Sequence, residues 1–450
     1  MSQREGSLEA PTRHPIDWQN PDFYSVELVM KEMERVFDIC HGCRRCVSLC
    51  NSFPVMFDLI DESPTLEVDG VPKEMYWKVV DQCYLCDVCY MTKCPYVPPH
   101  PWNVDFPHLM LRAKAIKFEN GEVQASEKFL ASTDTHGQFA GIPVVVDVVN
   151  AVNRTAVMRK LMDSQLGVHP GAWMPTLAGQ RFRWGRVMNN TTFPAVNGAR
   201  TPGKVAIFAT CYVNYNEPGI GDDLVKLLDH NEIPYEIVTR EQCCGMPRLE
   251  LGDLKSVEKA WAANVPVLVK YAKAGYAILS AIPSCTLMFK QELPLMFPDD
   301  ADTQLVKKAM FDPFEYLIAR HRDGLLKTDF KAALGSVSYH IPCHGRVQNI
   351  GRKTEEMFKL IGTRVEVKLN TVERCSGHAG TYGVKTAFHA VAMKIGKPVF
   401  KAMAKDAPDW ISSDCALAGH HIEQGMALAG APATALRHPL SLVRIAYGLV

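Results

Sequence analysis

Lys204-Val-Ala-Ile-Phe-Ala-Thr-Cys211 and Ser336-Val-Ser-Tyr-His-Ile-Pro-Cys343 decide the fold of the C-terminal half, because each is a short strand pattern closed by a cysteine. Such patterns predict buried strands, here over 205–209 and 337–341. A helical pattern follows each. A second strand-like segment comes next (235–238; 364–367), and then, at the same offset from the first cysteine in both, Cys243 and Cys375. A further helical stretch leads to a third strand (277–282; 410–412), ending at Cys285 and Cys415. The chain therefore repeats itself from about residue 204. Strands alternating with helices predict parallel α/β units, whose strand carboxyl ends converge on one edge. Both repeats place their cysteines there.

The N-terminal half carries a different pattern. Cys40-His-Gly-Cys43-Arg-Arg-Cys46-Val-Ser-Leu-Cys50 is followed by Cys83-Tyr-Leu-Cys86-Asp-Val-Cys89, with Cys94-Pro95 beyond it. Three cysteines at intervals of three wrap a loop around a [4Fe–4S] cube, each thiolate on a different iron. The distal fourth lies too far round to close the same cube and ligates the other one. The expected sets are Cys40, Cys43, Cys46 with Cys94, and Cys83, Cys86, Cys89 with Cys50. Zinc also takes C-x-x-C pairs, but in two pairs rather than two triplets each with a distal fourth. Asn51 stands where a proline usually follows the fourth cysteine, and one extra residue precedes Cys94; neither change removes a ligand. Arg44 and Arg45 lie inside the first loop, either as charges favouring the reduced cube or as solvated surface residues.

Residues 1–30 read as a loosely ordered, Pro-rich arm, 26–50 as a helix entering the first cysteines, and 51–82 as a spacer with turns. Residues 95–101 read as an extended Pro-rich exit. Helical patterns over 104–118 and 154–166 belong to a connecting region whose chemistry is not legible. The expected divisions are 1–30, 31–110, 111–203, 204–325 and 326–450. The fold class is α+β overall: a helical bis-[4Fe–4S] ferredoxin-like domain followed by two α/β cysteine-rich repeats.

With 49 basic and 49 acidic residues, the chain has no excess charge to drive nucleic-acid binding. The first ten residues are polar, unlike a secretory signal, and no apolar run approaches the roughly 18 residues of a spanning helix. Residues 142–152 come nearest, broken by Asp147 and Asn150. Cytoplasmic placement is expected, with peripheral docking at the inner face of a membrane through a partner. Fifteen cysteines, an odd number, suit metal ligation in a reducing compartment better than disulfides. No nucleotide loop or flavin fingerprint occurs. Gly345, Gly377, Gly380 and Gly383 read as backbone necessities near the second repeat's cysteines.

Cys211…Cys243-Cys244-Gly245…Cys285, repeated as Cys343…Cys375-Ser376-Gly377…Cys415, resembles the CCG-type cysteine-rich domain. Joined to an N-terminal double cluster, it resembles the family of iron–sulfur subunits found in anaerobic glycerol-3-phosphate dehydrogenase, the glycolate and lactate oxidation systems and heterodisulfide reductase. The resemblance covers roughly 30–110 and 204–430. In that family a full repeat ends in C-x-x-C and gives five cysteines to a larger cluster. Here the first repeat keeps four, Cys211, Cys243, Cys244 and Cys285, a candidate third metal or cluster site. The second keeps Cys343, Cys375 and Cys415, with His340, His344, His378, His420 and His421 nearby in sequence. A mixed site of Cys343, Cys375, Cys415, His344, His378 and His420 would suit zinc or iron, and the bland reading is a degenerate copy kept for packing. The resemblance implies an electron-transfer subunit, taking electrons from a flavin-containing dehydrogenase toward a membrane quinone or another acceptor. Two other functions stay open: a disulfide or thiol reductase acting at the first repeat, and a redox accessory feeding a non-haem iron peroxide-detoxifying partner.

Overall fold

The computed structural model describes residues 11–92, 94–139, 141–183 and 189–450. Within them, β1 (Val205–Ile207), β2 (Tyr235–Ile237), β3 (Ala277–Leu279) and β4 (Met310–Phe311) form a parallel sheet in the order β2-β1-β3-β4. A second parallel sheet orders β5 (Gly335–His340), β6 (Val367–Val372), β7 (Trp410–Ser413) and β8 (Ala435–Leu436) as β6-β5-β7-β8. Val205 pairs with Tyr235 on one side and Ala277 on the other, and His340 sits level with Val372 and Ser413. The strand order reverses between β1 and β3, and again between β5 and β7. A crevice opens beyond the carboxyl ends at such a switch point. Cys211 and Cys285 follow the first pair of strands, Cys343 and Cys415 the second.

The expected strand at 364–367 lies instead at Val367–Val372. It is an edge strand with Lys368 exposed and only Val372 buried, so no apolar run marks it. The two-residue edge strands β4 and β8 are too short to leave a pattern.

The N-terminal half is helical. Helix Val26–Cys43 stops short of the expected residue 50 because Arg44 turns left-handed, at φ 52°, and its N–H returns to Cys40 O. The spacer is helical too, with Ser52–Asp61 and Tyr76–Asp81. Pro54 falls in the first turn of Ser52–Asp61, where its missing N–H costs nothing. Phe37 packs on Tyr76 (5.0 Å between ring centroids) and Phe53 on Phe106 (4.8 Å), tying these helices to Phe106–Glu119.

Residues 11–24 are not a loose arm. The Ile16 N–H donates to Leu295 O and Trp18 Nε1 to Met296 O, and both side chains are buried against the first repeat. The connecting region holds Ala125–Leu130, Thr133–Gly137, Pro143–Val152 and Ala156–Leu166, the last capped by the Thr155 hydroxyl and ended by Gly167 at φ 63°. Among the described residues no helix is long and apolar enough to cross a membrane.

Candidate functional site

None of the fifteen cysteines is paired in a disulfide. Cys40, Cys43, Cys46 and Cys94 line one small pocket, closed by Ile39, Phe53, Phe57, Tyr96 and Val104. Helix Val26–Cys43 presents Cys40 and Cys43 one turn apart, and the Arg44 turn swings Cys46 back beside them. Cys94 arrives from the second motif, its N–H bound to Cys89 O. Burial, reinforced by the neighbouring thiols Cys94, Cys46 and Cys43, pushes the Cys40 thiol up; Cys94 rises to about 11, chiefly through burial. Thiols packed so closely resist ionising unless a cationic centre takes the charge. The donor set therefore fits an iron–sulfur core.

Cys50, Cys83, Cys86 and Cys89 line a second, larger cavity of ≈ 390 Å³. Leu85 (φ 49°) and Asp87 (φ 60°) give the loop its left-handed bends, so that three cysteines face inward. Cys50 is pushed up to about 12 by burial and then by Cys83. The two sets are neighbours, since the Cys89 thiol feels Cys46 as well as Cys86, Cys83 and Cys50.

Cys343, Cys375 and Cys415 line the same cavity as that second set, together with His340, His344 and His378. The seam is sealed by side chains from both sides. The Tyr382 hydroxyl donates to Gln82 Oε1 (2.7 Å), Lys385 Nζ donates to the Tyr84 hydroxyl (2.8 Å), and the Tyr84 and Tyr382 rings meet edge to face. His340 is spent on structure: Nδ1 meets Ser413 Oγ and Nε2 meets Arg374 O, and burial lowers it to about 4. His344 Nδ1 meets Ser284 Oγ. His420 departs from the expected set. Within helix Ala416–Leu428 its ring turns away to Glu217 (2.7 Å) and Glu423 (3.2 Å) and stacks on Trp173, in a different cavity between the repeats.

The first repeat is closed rather than open. Cys243 is hydrogen-bonded to Cys211 and Cys244, and Cys244 to Cys285. Gly245, at φ 98°, turns the doublet into helix Met246–Leu249. Asp134 accepts the Cys243 N–H at 2.9 Å. The connecting region thus roofs this site, a role its sequence does not signal. Glu250 bridges the repeats: it lines the large cavity, and its carboxylate lies against Gly380. Burial pushes it up to about 7 against the pull of Lys114 and Lys385. Arg44 is no free charge, being forked to Asp61 beneath its loop. Among the described residues no three His, Cys, Asp or Glu side chains converge as a single metal ion requires.

Both strand–cysteine repeats match one family model, the CCG Cysteine-rich domain, over residues 205–290 and 337–423. The chain carries two CCG cysteine-rich domains. It is homologous to a subunit of the anaerobic glycerol-3-phosphate dehydrogenase of Escherichia coli (strain K12), 26% identical over 348 residues, 76% of this chain and 82% of the relative. Lactate utilization protein A of Bacillus pumilus (strain SAFR-032) is 27% identical over 40% of this chain and 75% of its own length. A subunit of the fumarate reductase (CoM/CoB) of Methanothermobacter marburgensis is 25% identical over 55% of this chain and 47% of its own. Two CCG cysteine-rich domains and homology to subunits of a dehydrogenase and a reductase thus occur together in one chain.

Proposed function

We propose that the chain relays electrons within a larger oxidoreductase, from a flavin-containing dehydrogenase through two [4Fe–4S] cubes toward a quinone or another acceptor. One observation carries this reading: two adjoining four-cysteine sets, the inner of which opens into a cavity shared with the second CCG domain. When bound, the cubes pass electrons singly, splitting the two-electron oxidation of a hydroxy substrate from the reduction of the acceptor. The protein's part is to hold the two sets side by side and to keep water from them, with Phe53 and Phe57 over the first and the Tyr84–Tyr382 seam beside the second. The names of the relatives, each a dehydrogenase or reductase subunit or a lactate utilization protein, support a catalytic partner and a small organic substrate.

Replacing the distal cysteines tests the crossed ligation. Cys94→Ser is expected to alter the electron paramagnetic resonance (EPR) spectrum of the cube held by Cys40, Cys43 and Cys46, and Cys50→Ser that of the other. If each substitution instead disturbed the cube of its own motif, the crossed sets would be wrong. If the reconstituted chain lacked the two interacting cubes altogether, the relay would fall.

A further inference from the structure

We propose that Lys114 sets the direction of the relay: its charge beside Cys83 makes the inner cube the stronger electron acceptor, so electrons enter at the outer cube and leave through the inner one. The inner cube is the one fitted by Cys50, Cys83, Cys86 and Cys89, the outer the one fitted by Cys40, Cys43, Cys46 and Cys94. Lys114 lies on helix Phe106–Glu119. Its side chain is half-buried as a whole, but Nζ ends 4.5 Å from the centroid of the buried Tyr84 ring and donates to Glu250 O at 3.2 Å. Tyr84 follows Cys83 directly, and of the charged groups acting on the Cys83 thiol Lys114 is the foremost. The ammonium thus rests on a ring face and a carbonyl, and among the described residues it forms no ion pair. A cation turned inward without a counter-ion is costly. A thiolate-ligated cube supplies the missing negative charge, and the strongest pull on Lys114 against burial comes from Cys83.

The remaining charges do not tell the two sets apart in this way. Arg13 lies between Asp87, which acts on Cys83, and Asp105, which acts on Cys94, so that group bears on both. Lys385 is paired with Glu127. Burial pushes Glu250 up to about 7, so at neutral pH it carries only part of a charge. Elsewhere in the cavity wall Arg346 is paired with Glu373, and Arg374 is exposed. Beside the outer set Arg44 is forked to Asp61, and Arg45 is exposed, where solvent screens it. Reduction adds negative charge to a cube, so a nearby cation raises its reduction potential. One electron therefore passes from the reduced outer cube, which is reoxidised, to the inner cube, which is reduced, with no proton or co-reactant required. The donor then meets the exposed outer loop at Arg45 and Val47, and the acceptor lies beyond the cavity shared with the second CCG domain. The direction rests on the relay reading; the placement of Lys114 does not.

The test uses the whole chain, reconstituted anaerobically and reduced stepwise with dithionite in the presence of mediator dyes. The EPR signal of each cube is assigned with Cys50→Ser and Cys94→Ser. The first electron is expected on the inner cube. Lys114→Met and Lys114→Gln should each move the electron's distribution about tenfold toward the outer cube, ~59 mV for a one-electron couple. Lys114→Arg keeps the charge and should stay near the unmodified chain. The outer cube's potential should hold in all three, which a general loosening of the fold would not allow. A first electron on the outer cube of the unmodified chain, a distribution unmoved in both uncharged variants, or an equal shift in Lys114→Arg would each overturn the proposal and leave the relay standing. Absence of two interacting cubes in the unmodified chain would overturn the relay, and this proposal with it.

Discussion

Arg13 and Asp87, 74 positions apart, form a buried ion pair that fastens the N-terminal arm to the loop between Cys86 and Cys89. The guanidinium is 6% exposed and the carboxylate 4%. Arg13 also forks to Asp105 through Nε (2.8 Å) and Nη2 (3.0 Å), lies 3.6 Å from Glu292 and covers the Tyr90 ring. One side chain thereby gathers carboxylates from the second cysteine loop, the exit after Cys94 and the first CCG domain.

Removing it takes the cation from two buried carboxylates, Asp87 and Glu292, and from the half-buried Asp105. Breaking a buried pair from one side costs about 3–5 kcal/mol, so Arg13→Ala should lose about that much in urea unfolding and free the 86–89 loop in hydrogen exchange. Arg13→Lys keeps the charge but not the two forks, and should fall between. Equal stability of Arg13→Ala and the unmodified chain would show that the pair fastens nothing.

The cysteine frame is legible in the sequence because its motifs are regularly spaced: four of the eight N-terminal cysteines line one pocket, the other four line a cavity shared with Cys343, Cys375 and Cys415, and the repeat from 204 onward becomes two sheets. Features that depend on distant partners are not legible. Arg13 reads as part of a loose arm, since nothing local announces Asp87, Asp105 and Glu292. His420 groups with Cys415 by proximity in sequence, but helix rotation carries it to Glu217, 203 positions away. Edge strand β6 is displaced because half-exposed strands lack an apolar run.

The motif glycines of the two CCG domains differ in what they tolerate. Both are left-handed, Gly245 at φ 98° and Gly377 at φ 84°. A Cβ on Gly245 would meet nothing nearer than 3.5 Å, whereas one on Gly377 would lie 2.1 Å from Ala392 O. Gly245→Ala should therefore cost only the backbone term, about 1–2 kcal/mol. Gly377→Ala should cost about 1–3 kcal/mol more, as the 386–403 helix must move. Chemical denaturation of the pair decides it, and equal losses would contradict the close approach.

Asp134 ties the connecting region to the first CCG domain through the Cys243 N–H. Asp134→Ala leaves that donor unmade, at about 1–3 kcal/mol, while Asp134→Asn keeps an acceptor oxygen and should recover most of it. The readout that separates a roof from a bystander is thiol access. Alkylation of Cys243 should quicken in Asp134→Ala and not in Asp134→Asn, and unchanged rates in both would remove Asp134 from the site.

The His420 clamp between the domains should make stability depend on pH. Burial alone would lower its pKa, but hydrogen bonds to Glu217 and Glu423 overcome that and raise it to about 9. An unfolded histidine titrates near 6.5. A folded value above the unfolded one means that the folded state holds the proton more tightly, so the stabilisation is complete below about pH 6.5 and declines as pH rises through about 9. Glu217 strengthens the clamp by also accepting from the Tyr212 hydroxyl at 2.6 Å. Thermal unfolding of the chain and of His420→Gln should differ most near pH 6 and converge above pH 9, after the shared titration of all other groups cancels. A difference that stayed constant across that range would mean that the imidazole is neutral in the folded protein and that Trp173 stacking, rather than charge, holds the two domains at this point.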